Sequence, residues 1–271
     1  MIDKQKTRNF WEQVAESSTN DESLAGMLTD GDRYISRLRQ EGEEQHFISA
    51  FNISPATRWL EVGTGGGRWA FFLSDKVKNV VGIDFSKKMI EIANQTLGRN
   101  SHHNITFKVA ELIEYQSEQK FDVIYFSGML QYLSDDEVRA TLEHSKDLLA
   151  QGGYFISRDS VQGKNRVTLY TEHAVIYRTV AEYRDLFRSA GYEQTYNEIS
   201  YPETRFSTFA SKLHTSYKLP YSAAHLIQRI LLLVNSMLGD PDWLKKPHHL
   251  DALNSDGVRD HRFFRYESIA N

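Results

Sequence analysis

From Arg58 onward, short apolar runs alternate with amphipathic stretches, and this alternation restricts the fold more than any other feature of the chain. The runs are Trp59 to Val62, Val80 to Ile83, Ile105 to Val109, Phe121 to Phe126 and Gly153 to Ser157. Between them, Arg68 to Leu73, Ser86 to Leu97 and Asp135 to Leu149 carry apolar residues at helical spacing. Near-continuous apolar strands joined by helices need both sheet faces covered, so the pattern predicts a doubly wound, mostly parallel α/β sheet. Upstream, Phe10, Trp11, Val14 and Ala15 predict one helix. After the polar stretch Glu16 to Ser23, Tyr34, Ile35, Leu38 and Phe47 predict a second, over Asp32 to Phe51. Downstream, residues 159–180 read as polar and irregular. A helix from Val180 to Ala190 follows, closed by Gly191, then a strand from Gln194 to Tyr201. Residues 203–257 read as a mostly helical insertion, whose strongest helix runs from Ala223 to Leu238. The last strand expected is Arg262 to Tyr266.

The first run leads into Glu61-Val62-Gly63-Thr64-Gly65-Gly66-Gly67-Arg68, between an expected strand and an expected helix. Glycines suit a turn that needs positive φ or backbone that must touch a ligand. A parallel sheet delivers such a loop to the carboxyl ends of its strands, where ligands bind. The next run ends in Asp84, placed to accept hydrogen bonds from a ribose diol. The plainer alternatives are a glycine-rich structural turn and an Asp84 that supports the helix start at Ser86.

Dinucleotide folds use G-x-G-x-x-G, whereas here the pattern is E-x-G-x-G-x-G. That pattern resembles the first motif of the class I S-adenosylmethionine-dependent methyltransferases. Ala110-Glu111-Leu112 after the third strand, the segment Phe121 to Leu133, and Leu148 to Gly153 before the fifth strand resemble the later motifs of that family, in the same order. The resemblance covers residues 55–160. It implies a seven-stranded Rossmann-like sheet whose last strand is antiparallel, and S-adenosyl-L-methionine as cofactor. It also implies that Glu61, Gly63, Thr64, Gly65 and Gly67 hold the methionine part and Asp84 the ribose. Phe85, Met89, Ala110, Glu111 and Leu112 would line the adenine, and Ser127 and Gln131 would stand near the cofactor at the end of strand four. Tyr34 and Arg37, upstream, are candidates for the cofactor carboxylate, since arginine fits a carboxylate bidentately; a solvated helix face is the alternative. Thr64 stands where many members have cysteine or serine, and Glu61 and Glu111 replace commoner aspartates.

Methyl transfer from a sulfonium needs alignment and a dry site more than a fixed catalytic motif. Acceptor-side candidates are Tyr132 after strand four, Arg158 and Asp159 after strand five, the Tyr177-Arg178 pair before the next helix, and His214 in the insertion. The respective alternatives are a core aromatic, a buried core feature, a helix-entry contact and an ordinary histidine that is no base. His173 and His225 read like His214. Neither His102-His103 nor His248-His249 has the i, i+4 spacing of a helical metal site.

Composition narrows the rest. No cysteine is present, which excludes disulfides, cysteine nucleophiles and thiolate metal sites. A net charge of −4 disfavours a nucleic-acid partner. No window reaches the ~18 apolar residues of a membrane span, and the first residues lack a signal-peptide core, so a cytoplasmic protein is expected. The expected organisation is a helical cap (1–50), a cofactor-binding core (51–202 and 258–271) and an insertion covering the acceptor (203–257). The expected reaction is methylation of an oxygen or nitrogen of a small-molecule, sugar or natural-product acceptor, with no metal. The other readings are a nicotinamide-dependent oxidoreductase and a non-catalytic module that keeps the cofactor pocket.

Overall fold

The computed structural model describes residues 4–17, 33–170, 174–201, 205–237 and 259–269. His173, the His248-His249 pair, Leu238 and most of the stretch 16–23 lie outside them.

The expected runs form the strands β1 (Arg58–Val62), β2 (Asn79–Asp84), β3 (Ile105–Val109), β4 (Phe121–Ser127) and β5 (Leu149–Gln162). They alternate with α3 (Arg68–Leu73), α4 (Lys87–Arg99) and α5 (Asp135–Lys146). Together with β8 (Tyr192–Ile199) and β9 (Arg259–Ser268) they make one seven-stranded sheet, ordered β3-β2-β1-β4-β5-β9-β8. Strands β1 to β5 run parallel, and β9 is antiparallel to both β5 and β8. The order reverses at β1, so the β1–α3 loop and the β4 end open at the switch point of the sheet.

Local signals explain the helix starts. Ser86 caps α4 by accepting from the Met89 amide at 3.1 Å. Ser134 and Glu137 form a capping box before α5, and Thr179 and Glu182 another before α6 (Val180–Ser189). One face of the sheet buries Leu60, Ile124, Phe126, Phe155 and Phe264 under α5 and α6, where Phe187 stacks on Tyr266 at 3.5 Å. At the opposite ends of the strands from the loop, Asp122 accepts from the Arg58 amide and guanidinium at 2.7 to 3.0 Å, tying β1 to β4.

Residues 159–180 correct the sequence reading. β5 continues to Gln162, and β6 (Val167–Tyr170) and β7 (Ala174–Tyr177) form a separate antiparallel hairpin. The long strand escapes periodicity because Arg158, Asp159 and Gln162 are polar, yet Asp159 and Gln162 are buried.

The chain divides into two compact units. One comprises residues 1–26, 51–199 and 259–271, and holds the sheet and α1 (Lys4–Ser17). The other comprises residues 27–50 and 200–258. The second unit contains α2 (Arg33–Ala50), α7 (Arg205–Thr215) and α8 (Tyr221–Met237), packed around Tyr34, Leu38, Ala210 and Ala224. The first helix therefore groups with the sheet, and the second with the insertion. Among the described residues, no helix is long and apolar enough to cross a membrane.

Candidate functional site

The loop after β1 is held from beneath. The Gly63 and Thr64 amides donate to Ile83 O at 2.9 and 3.1 Å, and the Gly67 amide to Thr64 O at 2.9 Å. Gly67 has φ +89, and a β-carbon there would lie 2.7 Å from the Phe107 ring, so only glycine fits. Gly65, at φ +53, differs: a β-carbon there would meet nothing within 4 Å. The loop thus packs on protein at Gly67 and presents bare backbone to open space at Gly65.

Two carboxylates flank the loop. Asp84 accepts from the Gly65 amide at 3.0 Å through one oxygen and from the Ser86 amide at 2.9 Å through the other. It therefore orders the loop and supports the helix start, and both oxygens retain a second acceptor position. Burial pushes its pKa up to about 6 despite those bonds. Glu61 is completely buried and accepts from the Thr64 hydroxyl at 2.9 Å through Oε2, while Oε1 accepts no hydrogen bond. Burial raises its pKa to about 8, partly offset by the Thr64 hydroxyl, the Arg68 guanidinium and the Ser127 hydroxyl. An orphaned, buried carboxylate oxygen beside a glycine loop suits a ligand cation.

Arg68, at the first position of α3, was not singled out by sequence reasoning. Its guanidinium lies 4.3 Å from the Trp69 ring and acts electrostatically on Glu61. Its place directly after the fourth glycine was the available signal.

On the nucleotide side, α1 brings in residues that sequence reading treated only as helix packing. Arg8 donates to Glu111 Oε1 at 2.6 Å and lies over the Phe85 ring at 5.4 Å. Glu12 acts electrostatically on Asp84. Ala15 packs on Met89, so Met89 lies beneath this helix, with Trp11, Val14 and Ile92 around it. The spacing of Arg8, Trp11, Glu12 and Ala15 along one helical face was the signal. Ala110 is half-buried, and Leu112 belongs to the sheet core.

On the acceptor side, Ser127 ends β4, and the 3₁₀ turn Leu130–Tyr132 follows. Tyr132 meets Trp11 edge-on at 5.7 Å, and burial raises its hydroxyl far above the usual range, so it stays protonated. Gln131 Oε1 is buried and accepts no hydrogen bond. Arg158, level with Ser127 in the sheet register, carries its guanidinium beside Gly128. Tyr177 is half-buried at the end of β7. Asp159 is fully buried, and burial pushes its pKa to about 7 although the Ser157 hydroxyl, the Arg178 and Arg158 charges and the Leu130 amide act to lower it. Arg178 is also fully buried, with its guanidinium committed to backbone carbonyls and Asp135. It is not exposed to touch an acceptor, contrary to the sequence expectation.

Tyr34, Arg37 and His214 lie in the second unit, engaged in its own packing. Tyr34 donates to Gln228 at 3.1 Å, Arg37 pairs with Glu41 at 3.1 Å and stacks on Tyr221, and His214 Nδ1 lies 2.7 Å from Leu219 O. Among the described residues, no cluster of three or more histidine or acidic side chains could hold a metal ion.

Residues 60–153 match the family model described as "Methyltransferase domain". Phosphoethanolamine N-methyltransferase 1 of Triticum aestivum is 24% identical over 72% of this chain and 39% of its own length. Nodulation protein S of Sinorhizobium fredii is 27% identical over 48% of this chain and 59% of its own. The chain therefore spans less than two thirds of these curated relatives. The N-methyltransferase NodS of Bradyrhizobium japonicum, solved with S-adenosyl-L-homocysteine, superposes over 98% of this chain and 100% of NodS, with TM-score 0.57 and 15% identity. Phosphoethanolamine N-methyltransferase 1 of Haemonchus contortus, solved with phosphoethanolamine and S-adenosylhomocysteine, superposes over 97% of this chain and 48% of that one, with TM-score 0.61 and 14% identity. The matched segment is thus a methyltransferase domain, and the fold is that of the Rossmann-like S-adenosylmethionine-dependent methyltransferases.

Proposed function

We propose that the chain transfers a methyl group from S-adenosyl-L-methionine to a nitrogen of a small-molecule acceptor. The observation that carries this reading is the glycine loop with bare backbone at Gly65, flanked by Asp84 and by the orphaned oxygen of Glu61. The residues present fit the cofactor. Glu61 would take its methionine ammonium, Asp84 its ribose hydroxyls, and Phe85 and Glu111, under Arg8, its adenine. When bound, the cofactor supplies a sulfonium methyl that is displaced in line as the carbon–sulfur pair returns to sulfur. The chain's residues then align and shield. Trp11 and Tyr132 exclude water from one side, and Tyr132, protonated, donates rather than accepts. Arg158 and Gln131 offer polar contacts to an acceptor at the β4 and β5 ends. A neutral amine supplies its own lone pair and afterwards sheds a proton to solvent, so no dedicated base is required. Nitrogen is favoured over oxygen because the Triticum aestivum relative and two of the solved neighbours are named N-methyltransferases.

The fold alone does not decide the chemistry, since the [4+2]-cyclase SpnF shares it with TM-score 0.57 and 15% identity. Calorimetry with S-adenosylhomocysteine and NADH, followed by isotope-labelled methyl transfer to phosphoethanolamine, amino sugars and other small amines, tests the reading. Binding of S-adenosylhomocysteine together with label in an amine product is expected. Preference for NADH, or cofactor binding without transfer across the panel, counts against it.

A further inference from the structure

The turn that carries Gln131 and Tyr132 is a single 3₁₀ turn, too short to fix its own orientation. Arg178 fixes it from below. Its Nη1 donates to Leu130 O at 2.9 Å and its Nη2 to Leu133 O at 2.6 Å, so the guanidinium grips the carbonyls on either side of Gln131 and Tyr132. Nε and Nη2 also donate to Asp135 Oδ1 at 2.9 and 2.8 Å, at the first residue of α5. Asp135 receives Arg166 Nη2 as well, at 2.7 and 2.8 Å, and Arg166 Nε pairs with Glu182 at 2.8 Å. The two arginines flank the β6–β7 hairpin and staple it to the starts of α5 and α6. Lysine, a point charge with three donors and no planar fork, cannot reproduce the four bonds that Nε, Nη1 and Nη2 make at separate positions.

We infer that Arg178 is a positioning residue, and that the hairpin sets the acceptor side of the site through its grip on the Gln131–Tyr132 turn. The inference rests on the reading above, which places the acceptor at the β4 and β5 ends. Tryptophan reports on it without a known acceptor. Trp11 touches Tyr132, whereas Trp59 and Trp69 pack around Tyr125.

The test uses the full chain labelled with 5-fluorotryptophan. In Arg178→Lys, the Trp11 fluorine resonance is expected to shift or broaden while those of Trp59 and Trp69 hold. Amide exchange at residues 130–133 should quicken by about tenfold or more, as charge-assisted bonds are lost. Affinity for S-adenosylhomocysteine should stay within about threefold, since Arg178 contacts none of Glu61, Gly65, Asp84, Phe85 and Glu111. An unchanged Trp11 and unchanged exchange overturn the inference, and so do equal shifts at Trp11, Trp59 and Trp69, which mark a merely structural role. If Arg178→Lys does not fold, Asp135→Asn weakens the same grip and should give the same Trp11-selective change; wild-type behaviour there overturns the inference. A wild-type chain that fails to bind S-adenosylhomocysteine defeats the proposed function but leaves the Trp11 result standing.

Discussion

Glu61 makes cofactor binding depend on protons. With its pKa at about 8, the free protein holds this carboxyl roughly 3% ionised at pH 6.5 and half ionised at pH 8. Only the ionised form can hold an ammonium. The ligand is a free amino acid whose ammonium keeps its proton through this range, so the ionised Glu61 population sets the change. It rises about sixteenfold from pH 6.5 to pH 8, or ~1.6 kcal/mol. Well below pH 8, each binding event must release a proton. Calorimetry of S-adenosylhomocysteine binding at pH 6.5, in buffers of different ionisation enthalpy, counts that proton. About one released per ligand is expected, and Glu61→Gln should release none. A wild-type protein that binds the ligand tightly at pH 6.5 with no proton exchanged refutes the assignment of Glu61 to the ammonium.

Other outcomes follow from the same site. Asp84→Ala should weaken S-adenosylhomocysteine binding at least about tenfold, because charged hydrogen bonds contribute roughly 1.5–3 kcal/mol; unchanged calorimetric affinity contradicts the ribose role. Gly67→Ala should lower the unfolding temperature markedly, because its β-carbon strikes Phe107. Gly65→Ala should cost only about 1 kcal/mol of strain but impair the ligand more, and equal behaviour of the two variants argues against the loop's assigned orientation. Arg8→Ala removes a part-exposed ion pair worth about 0–1 kcal/mol. Stability should barely change while ligand affinity falls about threefold or more, and no affinity change detaches α1 from the nucleotide. The folded pKa values of Glu61, Asp159 and Asp84 are raised to about 8, 7 and 6. A raised carboxyl stabilises the fold fully below its unfolded value and loses that contribution as pH climbs through the folded one. The ligand-free protein should therefore lose thermal stability between about pH 4 and pH 8, and a flat melting profile there speaks against those shifts.

The strands were legible because β1, β2 and β4 read as near-continuous apolar runs, while β3, at the sheet edge, alternates buried Ile105 and Phe107 with exposed Thr106 and Lys108. Asp84 and the glycine loop were legible because backbone geometry there admits few residue types. The β6–β7 hairpin was not, since polar residues in the long β5 hide its continuation. Arg178 read as catalytic because sequence shows a charge near the strand ends but not that four hydrogen bonds already occupy it. Arg8 and Trp11 share a helical face whose partners, Glu111 and Tyr132, lie over a hundred positions away in sequence. No local pattern encodes such contacts.

A crystal structure of the full chain grown with S-adenosylhomocysteine tests the central claim most directly. The ribose hydroxyls should sit within hydrogen-bond distance of Asp84, with the amino group on Glu61 Oε1 and backbone contact at Gly65. Density for the ligand anywhere else, or a loop closed over Gly65 with no ligand against it, contradicts the account.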